Sequence, residues 1–442
     1  DRTNSFRFPE AFKFVKTMSL GLDPKYWYYN GEAYDFTDFV DRHPGGQWAL
    51  MLAKGHECST LFHSYHLDPT GKPLQMLKKY RLPDDQQPGH GMFEPSKKFT
   101  FKEDGFYAVV KKAAREYFAE KQISHYADWA HVTGTALTHL FMFIFMYLMC
   151  CSEFSLTSLI IFGAIHGIAR AMLVVQTVHA ASHYSFSRSP TINRWLYRIG
   201  TILIGLWAPP VWDIQHVIAH HVYTNEWPFD TDSAFPIKSI HANQRRLPYH
   251  RYQHLYMWVV YAFTIPLVLF NSVRVILTRK QMLFKLTFDV PGSYLEGVFC
   301  TIFGIGYLAL PFFFLPFTTA LIVTTLNNVL SSLIFALQFI VNHEIDEVVH
   351  HHPEEGKEYD WGEFEVMTSA NFGTSSLFSL EVSGGLNTQI EHHLFPSIHY
   401  GHYKELAKVV QRVIKDQFPH INYISKPSLW EALRSHYRLL KN

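Results

Sequence analysis

The stretch Gly384 to Pro396, GGLNTQIEHHLFP, sets Gln389, His392 and His393 on about one helical turn. Side chains at i, i+3 and i+4 share a helix face, so one amide and two imidazoles can converge there on a metal ion. A His-His pair near a helix end also suits a hydrogen-bonded surface position, and this piece alone does not separate the two. More donors of the same kind stand upstream: His179 and His183 in HAASH, His216, His220 and His221 in HVIAHH, and His343 in FIVNHEID. Adjacent histidines such as His220 and His221 point about 100° apart on an α-helix, which favours two metal centres over one. His216 and His220 have zinc-protease spacing, but Val217 stands where that chemistry needs glutamate. Imidazole-rich coordination with open positions is compatible with iron, whose oxygen chemistry consumes electrons.

A second histidine pair suggests where electrons enter. His43 sits in Asp41 to Gly46, DRHPGG, where the Pro-Gly-Gly turn leaves an imidazole projecting from a loop. His66 closes GHECSTLFHSYH, and two such histidines can clamp a haem iron from both faces. His63 competes with His66 for that role.

The elements that must position these donors are largely apolar helices. Hydrophobic residues make up 48% of the 442-residue chain, yet mean hydropathy is only −0.04, so they are concentrated in segments, as in a membrane protein with large water-facing parts. Runs 132–151 and 155–175, joined by a short turn, read as a spanning hairpin. Region 294–341 has room for two more spans, turning near Leu315 to Thr318. Run 254–277 contains Pro266 and has Arg245, Arg246 and Arg251 before it and Arg274, Arg279, Lys280 and Lys285 after it. The positive-inside rule places both flanks on the cytosolic side, which makes this run interfacial or re-entrant. Stretch 195–212 is interrupted by Pro209 and Pro210. The expectation is about four spans, with five or six as the alternative, and every histidine cluster on one side. His139 and His166, inside the first two runs, are expected to be satisfied by neighbouring helices.

Outside the spans, 106–118 is periodic as an amphipathic helix with Lys111, Lys112, Arg115 and Glu116 on its polar face, lying in the membrane interface or packed on the body of the protein. Leu406, Val409, Val410, Val413 and Ile414 predict a soluble helix over 403–416. His350 to His352, before a proline, read as a solvated loop, and 81–104 as a Pro-, Gly- and charge-rich linker. The formal charge of +1 supplies no basic domain for nucleic acid. Cys58, Cys150, Cys151 and Cys300 have no CxxC spacing, so neither a disulfide framework nor a thiolate site is indicated. The opening DRTNSF has neither methionine nor a signal-peptide pattern and leaves the true N-terminus open.

YWYYNGEAYDFTDFVDRHPGG, with Gly55, Glu57 and Phe62 before His66, resembles the cytochrome b5 domain over roughly residues 22–82. That resemblance implies His43 and His66 as axial ligands of haem b. The boxes HAASH, HVIAHH and QIEHH, in this order behind such a domain, resemble a front-end fatty-acyl or sphingolipid desaturase of the membrane histidine-box di-iron family. Glutamine opening the third box marks the front-end branch, and DWGEFEVMTSANF resembles a further family block.

The resemblance implies a cytochrome b5-like α+β module at 1–82 with an N-terminal extension, a linker at 83–104, and a mostly α, polytopic membrane domain at 105–442 under a cytosolic histidine-box cap. It implies two non-haem iron ions on His179, His183, His216, His220, His221, His343, His392 and His393, with Gln389 as ligand, water holder or orienting partner. Dioxygen is the implied co-substrate, an acyl lipid or acyl-CoA in membrane lipid the substrate, and NADH-cytochrome b5 reductase the electron donor, at the endoplasmic reticulum with haem and metals facing the cytosol. The expected reaction inserts a cis double bond between an existing one and the carboxyl end of a polyunsaturated chain. Related hydroxylases and acetylenases use the same chemistry, and a haem-containing membrane electron carrier is the distant alternative. One departure stands out: Ala180 follows His179 where the family commonly has aspartate, which removes a carboxylate that would orient that box.

Overall fold

The computed structural model describes residues 23–87, 99–204, 207–233, 237–242, 244–281, 284–285, 292–350 and 357–442. The N-terminal module starts with an antiparallel hairpin, Trp27–Tyr29 against Glu32–Tyr34. Its turn residues Asn30 and Gly31 have φ of 50° and 75°, the left-handed pair whose twist matches that of the strands. Short helices Gln47–Leu52, Ser59–Tyr65 and Lys72–Lys79 close over a core of Trp27, Tyr34, Phe36, Cys58 and Leu77. The Gln87 side chain accepts from the Ala33 N–H at 2.7 Å and donates to the Leu82 carbonyl at 2.9 Å, so the chain just beyond residue 82 is still tied to the hairpin.

Among the described residues, three helices are long and apolar enough to cross a membrane: Trp129–Cys150, Leu156–Ser182 and Phe317–Ile340. Two bent pairs raise the number to at most five. Pro190–Ile204 meets Pro209–His220 at 104°, and Pro248–Ala262 meets Thr264–Thr278 at 78°. The second bend breaks the run 254–277, a form that suits a broken span as well as a re-entrant segment. Pro266 fits this break: in a continuous helix its ring would press on the Ala262 carbonyl four residues back and leave it without an N–H, whereas in the first turn of Thr264–Thr278 the missing N–H goes unused. In the 294–341 region the turn falls at Leu315–Pro316, but Ser293–Ala309 is only 17 residues long. At 1.5 Å per residue that is about 25 Å, and Pro311–Phe314 extends it through Leu310, whose backbone is helical, up to the turn.

Several buried polar groups within the bundle are paired between helices. His166 Nε2 meets the Tyr307 hydroxyl at 2.8 Å, and Asn327 Nδ2 reaches His166 Nδ1 at 2.9 Å. His139 instead uses its own helix, with Nδ1 at 2.8 Å from the Thr135 carbonyl. Gly163 and Gly167 let Leu156–Ser182 approach Phe317–Ile340 closely, since a Cβ at either would press on Val323 or Asn327.

Helix Phe106–Lys121 lies on the enzyme body, where Phe106, Val110 and Ala114 share a core with Leu406, Val410 and Val413 of Tyr403–Gln417. Its second face is not simply solvated. Lys111 is 3% exposed and donates to the carbonyls of His63 and His66, both at 2.6 Å, while Arg115 donates to that of Leu67 at 2.8 Å. The cations that helical periodicity assigns to a polar face thus dock the N-terminal module. Phe99–Thr100 pairs in parallel with Tyr359–Asp360, tying the start of the body to its late segments. All four cysteines are free. His350 Nε2 lies 2.8 Å from the Ile345 carbonyl, and His351 and His352 lie outside the described residues.

Candidate metal centre

Local backbone geometry decides which histidines meet. Helix Leu156–Leu173 passes into a π-helix at Val174–His179, and Pro209–Trp212 into another at Asp213–His220. On an α-helix, residues five apart are separated by about 140° around the axis. With hydrogen bonds running i→i+5, the wider turn brings them round to one side. His216 accordingly meets His221 with Nε2 atoms 3.2 Å apart. The third box is pressed against the first by two glycines with φ of +54° and +86°: a Cβ at Gly384 would lie 2.6 Å from the Val175 backbone, and one at Gly385 would lie 2.4 Å from Tyr400. No larger residue permits that approach.

Among the described residues two all-histidine groups of donors result, and His216, His220 and Asp232 make a third, mixed set. His179, His183, His216, His221 and His392 form one, with donor atoms all within 4.8 Å of one another. His220, His343 and His393 form the other by the same measure. In the first, Nε2 of His179 is 3.0 Å from that of His216, and Nε2 of His392 is 3.0 Å from that of His221. Two nitrogens each about 2.1 Å from one ion, at right angles, would be about 3.0 Å apart. In the second, the Gln389 amide lies 3.0 Å from His343 Nε2 and 3.1 Å from His393 Nε2, the same kind of spacing. His183 Nε2 and His220 Nε2 are buried with no hydrogen-bond partner, as expected of atoms reserved for an ion. The donor set therefore fits two metal ions.

Outer partners hold the opposite ring nitrogens. His216 Nδ1 meets Asp232 at 2.9 Å, His220 Nδ1 meets Asp230 at 3.1 Å, and His393 Nδ1 meets Glu365 at 2.7 Å. His343 Nδ1 is 3.0 Å from the Thr368 carbonyl, His392 Nδ1 is 3.2 Å from the Tyr403 hydroxyl, and His183 Nδ1 is 2.6 Å from the Tyr65 hydroxyl. A proton held on Nδ1 leaves Nε2 as the ligating atom. Burial lowers the basicity of His392 and His393, reinforced by His179 and His343 respectively, so both are neutral as ligation requires. Burial pushes Asp232 up to about 7; at Asp230 burial is outweighed by His220, and its carboxylate sits at about 2.

A separate cradle lies in the N-terminal module. His43 and His66 face each other with ring centroids 6.2 Å apart, close to the roughly 6 Å spacing of imidazoles on opposite sides of one iron. Each Nδ1 is engaged by a backbone carbonyl, Gly46 at 3.2 Å and Phe62 at 2.8 Å. Burial holds His66 at about 4 and lowers His43, so both rings are neutral. His63 points elsewhere: it stacks on Phe101 at 4.0 Å and meets the Tyr29 hydroxyl at 3.1 Å.

All eight box and loop histidines of the sequence reading, and Gln389, thus converge, and His43 faces His66 rather than His63. Sequence reasoning missed the outer carboxylates. Asp230 and Asp232 stand ten and sixteen residues beyond the histidines they hold, and Glu365 lies inside DWGEFEVMTSANF, a stretch whose carboxylates had no assigned role. A search for acidic residues shortly after HVIAHH would have flagged the aspartates.

Comparison with known proteins agrees with this geometry. The fatty acid desaturase family model matches residues 154–425, more than half the chain, and the model of the cytochrome b5-like haem/steroid-binding domain matches residues 15–84. The chain belongs to the fatty acid desaturase family. It is similar to acyl-lipid (8-3)-desaturase B of Dictyostelium discoideum, 27% identical with 93% of this chain and 89% of that protein covered. It also resembles an acyl-lipid (8-3)-desaturase of Physcomitrium patens, 29% identical with 93% and 86% covered. A third relative is the chloroplastic acyl-lipid (7-3)-desaturase of Chlamydomonas reinhardtii, 29% identical with 90% and 77% covered. The chain is a membrane acyl desaturase of the front-end type, an oxidoreductase with a fused cytochrome b5-like domain. That domain indicates haem, and the histidine groups of this family indicate iron.

Proposed function

We propose that this protein inserts a cis double bond between an existing double bond and the carboxyl end of a polyunsaturated acyl chain, consuming dioxygen and electrons passed through its own haem module. The observation that carries the reading is the meeting of eight imidazoles in two buried groups at ligand spacing, beneath a docked module with its own opposed histidine pair. His43 and His66 hold haem b, and the eight box and loop histidines hold two iron ions. Bound there, these groups supply single electrons and oxygen chemistry able to remove hydrogen from an unactivated carbon. The protein's part is to keep the imidazoles aimed and to exclude water.

Gln389 is assigned to the second group as a fourth donor. Turning its amide over presents Oε1 to the ion, and turning Asn342 over keeps their 3.3 Å contact while giving the unpartnered Asn342 Oδ1 a donor. The division at residues 82 and 104 separates electron entry from catalysis. Arg and Lys flanks around 254–277 support a cytosolic metal centre at the endoplasmic reticulum, with NADH-cytochrome b5 reductase as donor and an acyl lipid or acyl-CoA as substrate. The test is expression in yeast fed one polyunsaturated acid at a time, including substrates suited to (8-3) and (7-3) products, with double bonds located by mass spectrometry. A new double bond on the carboxyl side of an existing one is expected; an oxygenated product without one would move the assignment to a hydroxylase.

A further inference from the structure

The haem module reaches into the metal centre through one side chain. Tyr65 ends helix Ser59–Tyr65 and is the covalent neighbour of His66. Its phenol oxygen lies 2.6 Å from His183 Nδ1, a contact between residues 118 apart in sequence. His183 is fully buried, its Nε2 has no protein partner, and it belongs to the five-histidine group. Ala180 gives the first box no side chain with which to hold its own histidines, and among the described residues Tyr65 is the partner His183 Nδ1 has. The helix carrying Tyr65 is pinned from the other side by Lys111 on the His63 and His66 carbonyls, by Arg115 on Leu67, and by the His63–Phe101 stack. Trp48 of the same module packs under the Arg194 guanidinium at 3.9 Å. Phenylalanine would fill the space of Tyr65 equally well, so the hydroxyl is the group that calls for an explanation.

We propose that Tyr65 is a positioning residue for the metal centre: its phenol oxygen accepts the His183 Nδ1–H, fixing the tautomer that offers Nε2 to the ion, so that the five-histidine group is complete only when the haem module is docked. An acceptor on Nδ1 both orients a ligating imidazole and raises its basicity. One peptide unit separates His66 from the residue bonded to His183, so the same contact sets the spacing between haem and metals. This rests on the reading of the box histidines as metal ligands.

The experiment uses the full-length protein in detergent, comparing wild type, Tyr65→Phe and Tyr29→Phe. Non-haem metal retained is measured against a chelator series, with haem from the reduced-minus-oxidised spectrum. Tyr65→Phe should lose metal at about 10- to 100-fold lower chelator, with haem content unchanged. Tyr29→Phe removes the equivalent phenol–imidazole contact to His63, which faces no metal, and should match wild type. Retention in Tyr65→Phe equal to wild type overturns the proposal, and so does loss of haem together with metal, which would make Tyr65 a folding residue. Wild type carrying haem but no other metal would instead overturn the ligand reading beneath it.

Discussion

The two donor groups are built on different plans. The group of His179, His183, His216, His221 and His392 relies on number: five imidazoles, of which two take their outer partner from a phenol, Tyr65 or Tyr403, and one from Asp232. The group of His220, His343 and His393 has fewer rings but stronger support, with Asp230 and Glu365 behind two of them and the Thr368 carbonyl behind the third. A carboxylate behind an imidazole makes it a better donor than a neutral phenol does. Ligand count and ligand quality thus trade against each other across a few ångströms, and only the group supported by phenols takes a partner from the haem module.

The largest way to break this comparison is to remove a ring from each group. His343→Ala leaves two imidazoles and Gln389, whereas His392→Ala leaves four imidazoles. Both variants should lose double-bond formation in yeast, but metal analysis should show the deficit to be deeper in His343→Ala; equal retention would mean that count does not govern the five-ring group. Next come the outer partners. Glu365→Gln should weaken metal retention or activity about 10- to 100-fold, the usual cost of removing a partner behind a ligand, and Tyr403→Phe should sit at the low end of that range. Gln389→Ala should weaken the three-ring group alone, and an unchanged metal content there would return Gln389 to an orienting role.

The smallest effect concerns docking. Burial, with help from Arg115, lowers Lys111 to about 7, while an undocked lysine titrates near 10.5. Between those values the undocked state binds more protons, so docking should strengthen as pH rises from 7 towards 10. Hydrogen exchange of residues 59–66 in the full-length protein should slow over that interval after correction for intrinsic rate, and Lys111→Met should flatten the trend.

Much of this protein could be read from spacing. The boxes announce themselves because histidine is rare in apolar surroundings, and the helix Tyr403–Gln417 follows from its apolar period. The hairpin turn follows from Asn30-Gly31, since asparagine and glycine tolerate left-handed φ. The docking role of Lys111 was hidden because helical periodicity sorts residues by polarity, and a lysine bonded to two carbonyls of another module looks like any solvated one. The pairing of His216 with His221 was hidden because sequence spacing implies α-helical angles, and the backbone here is π-helical.

What the sequence determined by itself is the inventory: which donors exist, that they fall into three boxes and a loop histidine, and that a haem-type pair precedes them. Tertiary structure decided the grouping into five and three and the carboxylates and phenols behind the rings. The physical reason is range. Donor type and helical period are local and legible along the chain, whereas contacts such as Tyr65 with His183, or Gly384 with Val175, join residues more than a hundred positions apart and exist only once the helices have packed.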